Sequence, residues 1–402
     1  MCKFRKDFLL QYVAWTVFLF SILLESTVWS VGDDGDILLK ISKMFRYLAY
    51  GICLSKIVMG RYRVRTLWWC CVLATIFFLS YVGSRNRVMV LYLLILFAAI
   101  GVDSRCHIRI ANVMQTSFLC IFILLSLTGL VTDYVFDPNS RMRHGLGFTW
   151  TTTAPIIYFY TMLCYIYIKR EKISYLGYLI MECVNFWLYK MTDTRMAFVF
   201  SSFFLLFFAI ERSMKNRWRF WRLFERLYCI VPSIICTASL ILYWCYDSSN
   251  DVWRKLNELL SNRLYLGKEA ILNYGIHVFG QNIRWVGFSI RRPTMAEAVG
   301  YNYVDCSYLQ LLLEYGVLFL IAVIGIYTVA IYRAVKVQDY YLVWILLIVL
   351  LFGITEPRLM NFAFNPFPLM AFCRLSPPSG KKETCLPVER ISGHAEAKII
   401  GN

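Results

Sequence analysis

The chain has 402 residues, of which 59% are hydrophobic, with a mean hydropathy of +0.56 and a formal net charge of +17. Apolar runs of membrane-spanning length recur along the whole sequence, which excludes an ordinary soluble protein and predicts an integral membrane protein. The positive charges are dispersed over the loops between these runs. With no soluble domain to carry a basic face, nucleic acid is not expected as a partner.

The apolar runs define the predicted helices. A bilayer core about 30 Å thick needs roughly 20 apolar residues per helix, which gives about twelve spans and an all-α, polytopic membrane protein with one large extracytoplasmic loop. The predicted spans are residues 8–24, 37–59, 67–81, 87–102, 110–132, 149–168, 173–189, 196–210, 227–246, 307–332, 339–353 and 357–372. We expect a membrane domain over 1–372, with its large loop at 247–306, and a poorly ordered cytoplasmic tail over 373–402. Within the loop, two helices are predicted over 251–260 and 264–273.

Loop charges predict the orientation, because Lys and Arg in short loops gather on the cytoplasmic side. The short segments that carry most of them are the N-terminus and residues 61–65, 105–109, 169–172, 211–226 and 333–336. Both termini are therefore predicted inside. Seven basic residues in the short outside loops are exceptions to this rule: Arg85, Arg87, Arg141, Arg143, Lys190, Arg195 and Arg358. They suggest an anionic partner at the outer face.

The second predicted span is unusual in carrying Lys40, Lys43 and Arg46 at helical spacing. A central cation costs about 3 kcal/mol on insertion scales, so these residues are expected to face protein or a wet cavity. Lys40 could instead extend to the membrane surface. Arg46 lies deeper and is predicted to line a polar pocket.

Several function classes lack support in the sequence. The four His residues show no metal-ligand spacing, and there is no phosphate-binding loop, so neither a metal, a cofactor nor ATP-driven transport is expected. The two halves of the chain show no repeat, which argues against a transporter built from two related halves.

Three outside segments carry the candidate chemistry. Residues 141–148 place two Arg beside a Gly-containing turn, an arrangement suited to oxyanions. Residues 192–195 (Thr-Asp-Thr-Arg) open the eighth span, where a helix N-terminus would point outward. Residues 247–316 contain an Arg, several Gly and the acidic Asp305. Taken alone, each residue also has a simpler interpretation. Arg195 could form a surface ion pair that contributes little stability, and Asp305 could cap the N-terminus of the tenth span.

With these segments the chain resembles the O-antigen and capsular polysaccharide polymerases (Wzy-type), relatives of O-antigen ligase, over most of residues 8–372. Residues 192–195 resemble the family motif Thr-x-Ser-Arg, with Thr replacing Ser. Arg263, Gly267 and residues 279–280 resemble its large-loop pattern. Residues 305–316 resemble the ligase stretch His-Asn-x-x-Leu-x-x-x-x-Glu-x-Gly, although Asp305 and Cys306 replace its first two residues.

The resemblance implies a GT-C-like, metal-independent glycosyltransferase at the outer face of the bacterial cytoplasmic membrane. It would transfer a glycan from a polyprenyl-pyrophosphate carrier to a carrier-linked repeat unit, in contact with membrane lipids and other capsule-assembly proteins. The alternatives are an O-antigen-ligase-like transferase and a flippase for lipid-linked oligosaccharides.

Site roles follow from that reaction. Without a metal, Arg side chains must stabilise the departing pyrophosphate, and those expected to do so are Arg143, Arg195 and Arg263, followed by Arg141 and Arg46. The acceptor hydroxyl needs a general base, for which Asp305 is the first choice and His277 the second. Aromatic faces for sugar rings are offered by Tyr265, Trp285, Tyr301, Tyr303 and Tyr308. The alternative interpretation of these residues is an aromatic belt at the membrane interface.

Overall fold

The computed structural model describes residues 6–31, 35–136, 142–214, 222, 224–287 and 300–375. It is mainly helical. Its α-helices are α1 Lys6–Glu25, α2 Gly35–Met59, α3 Val64–Ser84, α4 Val88–Ala98, α5 Ser104–Leu127, α6 Thr153–Lys169, α7 Tyr175–Thr192, α8 Arg195–Ser213, α9 Glu225–Tyr228, α10 Val231–Trp244, α11 Asp251–Leu259, α12 Arg263–Tyr274, α13 Ser307–Tyr315, α14 Val317–Lys336 and α15 Tyr340–Phe352. Short 3-10 helices cover Val28–Ser30, Arg170–Lys172 and Phe367–Ala371, and strands β1 Val135–Phe136 and β2 Arg143–His144 form one ribbon.

Membrane-spanning character is concentrated in five of these helices. By length and composition, α1 from Phe8 onward, α3, α5, α8 and α14 are each long and apolar enough to cross a bilayer. The shorter helices α4, α10 and α15 are also apolar. This architecture is compatible with a polytopic membrane protein, but it does not confirm the predicted number of about twelve spans.

The predicted spans agree with the helices in the first part of the chain and diverge later. Each of the first eight predicted spans coincides with one helix, α1 to α8. The ninth is divided between α9 and α10, and the tenth is divided at Gly316 between α13 and α14. Both helices predicted within the large loop are confirmed as α11 and α12, and residues 288–299 of that loop lie outside the described part of the chain.

The helix predicted over 357–372 is wrong, although the chain does run back through the bundle there. At one end, the Ser307 hydroxyl donates a hydrogen bond to the Glu356 carbonyl at 2.5 Å. At the other end, the Arg374 N–H donates to the Val102 carbonyl at 2.7 Å, beside the start of α5. Three prolines, at positions 357, 366 and 368, remove helical hydrogen-bond donors, so only the 3-10 turn Phe367–Ala371 forms.

This irregular segment is stabilised by side chains of its neighbours. Backbone without regular hydrogen bonds is tolerated at membrane depth only where protein surrounds it, and most of residues 359–375 are buried. From α5, the Gln115 amide donates to the carbonyls of Ala363 and Phe364 at 2.8 and 2.7 Å. From the end of α14, the Arg333 guanidinium donates to the Cys373 carbonyl at 2.6 Å. The packed chain extends to Leu375, and residues 376–402 of the predicted tail lie outside the described part.

A glycine junction joins α3, the large loop and α13. Gly316 has φ +93°, and a Cβ there would lie 2.3 Å from the Gly280 nitrogen. Gly280 has φ +83°, and its Cβ would lie 2.3 Å from the Glu314 carbonyl oxygen. A Cβ on Gly83 would approach the Phe279 carbonyl oxygen to 2.4 Å. Glycine is needed at all three positions because backbone packs directly on backbone, and this contact fixes the end of α13.

Candidate functional site

A cavity of about 970 Å³ lies at the end of the bundle that carries the predicted outside loops. It is bounded by the starts of α4, α6 and α8, by the end of α13 and by the connecting loops. Its charged lining residues are Arg143, Asp193, Arg195, Arg263, Arg284, Asp305, Glu314, Glu356 and Arg358. Among the described residues, five cations and four carboxylates thus meet in one concave space, which is where a small-molecule site is expected.

Four of the predicted site residues are brought together in this cavity. Arg143, Arg195, Arg263 and Asp305 all line it, although they come from four separate parts of the sequence. Of the seven basic exceptions at the predicted outer face, Arg358 lines it as well.

The remaining predicted site residues are not brought there. His277 is exposed and outside the cavity lining, and its carbonyl instead accepts a hydrogen bond from the Val317 N–H at 3.1 Å. Arg46 lies outside the cavity lining, where its guanidinium pairs with the Glu25 carboxylate between α1 and α2. That pair also accounts for a cation deep in α2. Arg141 lies outside the described residues.

Arg143 is positioned by the β1–β2 ribbon and by the end of α7. Its Nε donates to the Thr192 carbonyl at 3.0 Å. The ribbon itself is fixed by Asp133, whose carboxylate accepts from the Leu146 N–H at 2.8 Å and pairs with the His144 ring at 2.6 Å. The predicted oxyanion turn is therefore rigidly attached to the turn between α7 and α8.

Arg195 is much more exposed than Arg263 and Arg358, the other two cavity cations with a described carboxylate partner. Asp193 ends α7 with φ +43°, which turns the chain so that α8 can begin at Arg195. Arg195 Nε lies 3.6 Å from Asp193 Oδ1, but the Arg195 side chain is 63% exposed. An ion pair of this kind contributes little stability, so the guanidinium can exchange it for another anion at small cost.

Arg263 and Asp305 form the central ion pair of the site. Arg263 Nε lies 3.2 Å from Asp305 Oδ2, with side-chain exposures of 19% and 30%. The helix-cap interpretation of Asp305 is wrong, since Cys306 occupies the N-cap position of α13 and no side chain caps it. Among the described residues, Asp305 Oδ1 accepts no hydrogen bond. This oxygen is available to accept a proton from a bound molecule.

A third ion pair of the cavity, Glu356 with Arg358, is not among the site residues predicted from the sequence. Both residues line the cavity, and the Glu356 side chain is only 12% exposed. Burial raises the pKa of the Glu356 carboxyl above its usual range, Arg358 opposes this effect, and the Asp305 charge adds to it. The sequence does contain a signal for this pair, because Arg358 is one of the basic exceptions of the predicted outer face and follows a Glu between two apolar segments.

Glu314 is held in place from two sides. Its Oε1 accepts from Asn86 Nδ2 at 2.8 Å, and its Oε2 accepts from Trp285 Nε1 at 2.7 Å. Trp285 and Tyr303 meet edge to face with ring centroids 6.4 Å apart. Because the indole is anchored by the carboxylate, it offers the cavity a fixed aromatic face.

The predicted sugar-binding aromatics divide into two groups. Trp285, Tyr301 and Tyr303 line the cavity, and burial raises the pKa of Tyr303 to about 12, so its hydroxyl stays protonated at neutral pH. Tyr265 lies outside the lining and is exposed, while Tyr308 is fully buried and donates to the Leu350 carbonyl at 2.6 Å.

No protein-family model, curated protein or solved structure gives a significant match to this chain. Within the described ranges, no group of three or more His, Cys, Asp or Glu is arranged to hold a metal ion. The cavity's own chemistry therefore carries the functional argument. It can bind an anion through several guanidinium groups, stack a sugar ring on an aromatic face and accept a proton on a carboxylate.

Proposed function

We propose that this chain is a polysaccharide polymerase that acts on polyprenyl-pyrophosphate-linked oligosaccharides at the outer face of a bacterial cytoplasmic membrane. The observation that supports this proposal best is the convergence of Arg143, Arg195 and Arg263 with Asp305 in one cavity. Pyrophosphate recognition needs the Arg residues and activation of a hydroxyl needs the carboxylate. One concave site at one end of an apolar helical bundle contains both.

The proposed reaction is a direct displacement. The acceptor hydroxyl oxygen forms a bond to the anomeric carbon of the donor while the bond from that carbon to the pyrophosphate oxygen breaks. The hydroxyl proton passes to Asp305, and the electron pair of the broken bond leaves with the pyrophosphate. Negative charge therefore grows on the leaving group, where fixed guanidinium groups in a water-poor cavity stabilise it most effectively.

Ion pairs balance the charge of two of the cations that line the cavity. Arg263 pairs with Asp305 and Arg358 pairs with Glu356, so neither guanidinium is left without a counter-charge. A pyrophosphate offers more acceptor oxygens than one carboxylate and fits the planar guanidinium fork. Its arrival would draw Arg263 away from Asp305 and leave that carboxylate free to accept the hydroxyl proton.

The alternative from another class is a flippase, which needs a polar path reachable from both membrane faces. The charged lining of this cavity comes from helix ends and loops at one end of the bundle, which favours bond chemistry at that face. A ligase would use the same donor chemistry with a different acceptor.

Reconstitution in liposomes distinguishes these functions. The purified protein, given only carrier-linked repeat units, should produce a ladder of longer glycans that mass spectrometry resolves. A flippase would move the substrate across the bilayer without lengthening it, and a ligase would require a second acceptor. Either result would refute the polymerase proposal.

Cysteine labelling tests which face carries the site. In a background with Cys245 replaced by Ser, Ser249→Cys should react with a membrane-impermeant thiol reagent in intact cells, whereas Ser213→Cys should not. Both serines are exposed, so the comparison is matched for accessibility. Labelling only at position 213 would move the cavity to the cytoplasmic face.

A further inference from the structure

A second cavity, of about 570 Å³, lies beside the first at the turn between α3 and α4. Arg85, Asn86 and Arg87 of that turn line it together with Asn282 of the large loop. Glu314 lines both cavities. Its carboxylate is thus part of the wall that separates the two spaces, with one oxygen bonded to Asn86 and the other to Trp285 of the main cavity.

The turn that carries the two Arg residues is rigid. Asn86 Oδ1 accepts from the Val88 N–H at 3.1 Å, and the Asn86 N–H donates to Ser84 Oγ at 3.2 Å. Arg85 adopts the left-handed conformation at φ +58°, which an ordinary residue adopts only at some cost. The glycine junction at Gly83 packs this turn directly against the large loop. The positions of both Arg backbones are therefore fixed before any ligand binds.

The two guanidinium groups differ from those of the main cavity in having no partner. Among the described residues, neither Arg85 nor Arg87 forms an ion pair or a side-chain hydrogen bond, and both side chains are exposed. Arg263 and Arg358, by contrast, are both paired with carboxylates. Two unpaired guanidinium groups on one fixed turn are suited to an anion with several oxygens.

We propose that this second pocket binds the diphosphate of the acceptor, the second carrier-linked substrate, an inference that rests on the proposed function. Polymerisation joins two molecules that each carry a diphosphate, and two such anions repel one another strongly in one cavity. The acceptor hydroxyl belongs to a sugar at the far end of a repeat unit. Its own diphosphate must therefore lie some sugar lengths from the reacting carbon, in a separate cationic site beside the first.

The experiment separates the two substrate roles chemically. The donor lacks the acceptor hydroxyl, so it can only give its glycan. One acceptor carries a diphosphate in which a methylene replaces the anomeric oxygen, so it cannot act as a donor. The other acceptor is the same oligosaccharide as a neutral alkyl glycoside. The double variant Arg85→Gln/Arg87→Gln is compared with wild type, and Lys190→Ala serves as a control because it is a basic residue of the same predicted face that lines neither cavity.

For the double variant, KM for the diphosphate acceptor should rise about ten- to hundredfold, as expected when charge-assisted hydrogen bonds are lost. The kcat, the KM for the donor and the KM for the neutral acceptor should stay close to wild type. Lys190→Ala should change none of them. Equal increases in KM for both acceptors, or no increase for either, would overturn the proposal.

Vesicle composition tests the other source of the same anion, a phospholipid headgroup. The measurements are repeated in vesicles of neutral phospholipid alone and with added anionic phospholipid. The proposal would also be overturned if the double variant changed KM only in vesicles with anionic lipid, and changed it equally for acceptors with and without a diphosphate. Absence of turnover by wild type refutes the polymerase function and this inference with it, whereas turnover with an unchanged acceptor KM refutes the second site alone.

Discussion

Replacing Asp305 by Asn tests the proposed general base, because the amide keeps the size of the side chain and loses its basicity. General-base assistance contributes about 10²–10⁴-fold to rate, which corresponds to roughly 3–5 kcal/mol in the barrier. The effect on stability should be far smaller. The ion pair with Arg263 joins Nε to Oδ2 at 3.2 Å and both side chains are partly exposed, so its loss should cost about 1 kcal/mol or less.

The assay is single-turnover glycan transfer by purified protein, with donor binding and thermal unfolding measured on the same samples. Asp305→Asn should bind the donor, unfold close to the wild-type temperature and transfer glycan at least a hundredfold more slowly. Asp251→Asn is the matched control, since that carboxylate belongs to an exposed ion pair on α11. Near-normal turnover by Asp305→Asn would refute the assignment, and Glu356→Gln would then be the variant to test.

Three further predictions concern the cations, the buried acid and the glycine junction. Arg263→Lys keeps the charge but loses the guanidinium fork, so kcat should fall about tenfold or more. Arg254→Ala in the same loop should leave kcat unchanged, and equal effects of the two variants would contradict the proposed role of Arg263 in pyrophosphate binding. Because burial raises the folded-state pKa of Glu356, its contribution to stability is present below pH 4.5 and is lost as pH rises through that pKa. The melting temperature of Glu356→Gln relative to wild type should therefore increase as pH is raised from 4.5 toward neutral, and a decrease would show that the Arg pair dominates. Gly316→Ala should destabilise the protein by about 1–3 kcal/mol through backbone strain alone. Gly325→Ala in α14, where an added Cβ would meet open space, should not destabilise it. Thermal unfolding of both variants measures the difference.

The sequence predicted the helices well where apolarity and helical preference coincide. The first eight predicted spans coincide with α1 to α8 because those stretches contain few residues that break a helix. Hydropathy reports only that a segment avoids water, however, and cannot distinguish a helix from an irregular segment that other helices bury. That is why residues 357–372, with their prolines, were predicted as a span.

Part of the candidate site could be predicted from the sequence because basic residues in short loops of the predicted outer face are unusual. This signal identified Arg143, Arg195 and Arg358, which line the main cavity, and Arg85 and Arg87, which line the second.

Side-chain direction and tertiary partners were not accessible in this way. His277 lies in the correct loop but is exposed outside the cavity lining, and Arg46 is explained by Glu25 across α1 and α2. Glu356 and Arg284 enter the site only because the fold brings their segments there.

The irregular return of the chain after α15 has a consequence for how the protein is assembled. A segment interrupted by prolines cannot satisfy its own backbone in lipid and is a poor substrate for insertion as an independent helix. It has to enter after α5 and α14 are in place, because Gln115 and Arg333 supply the donors that its carbonyls need. Since the same segment begins with Glu356 and Arg358, the lining of the main cavity is complete only once this segment has packed against those helices.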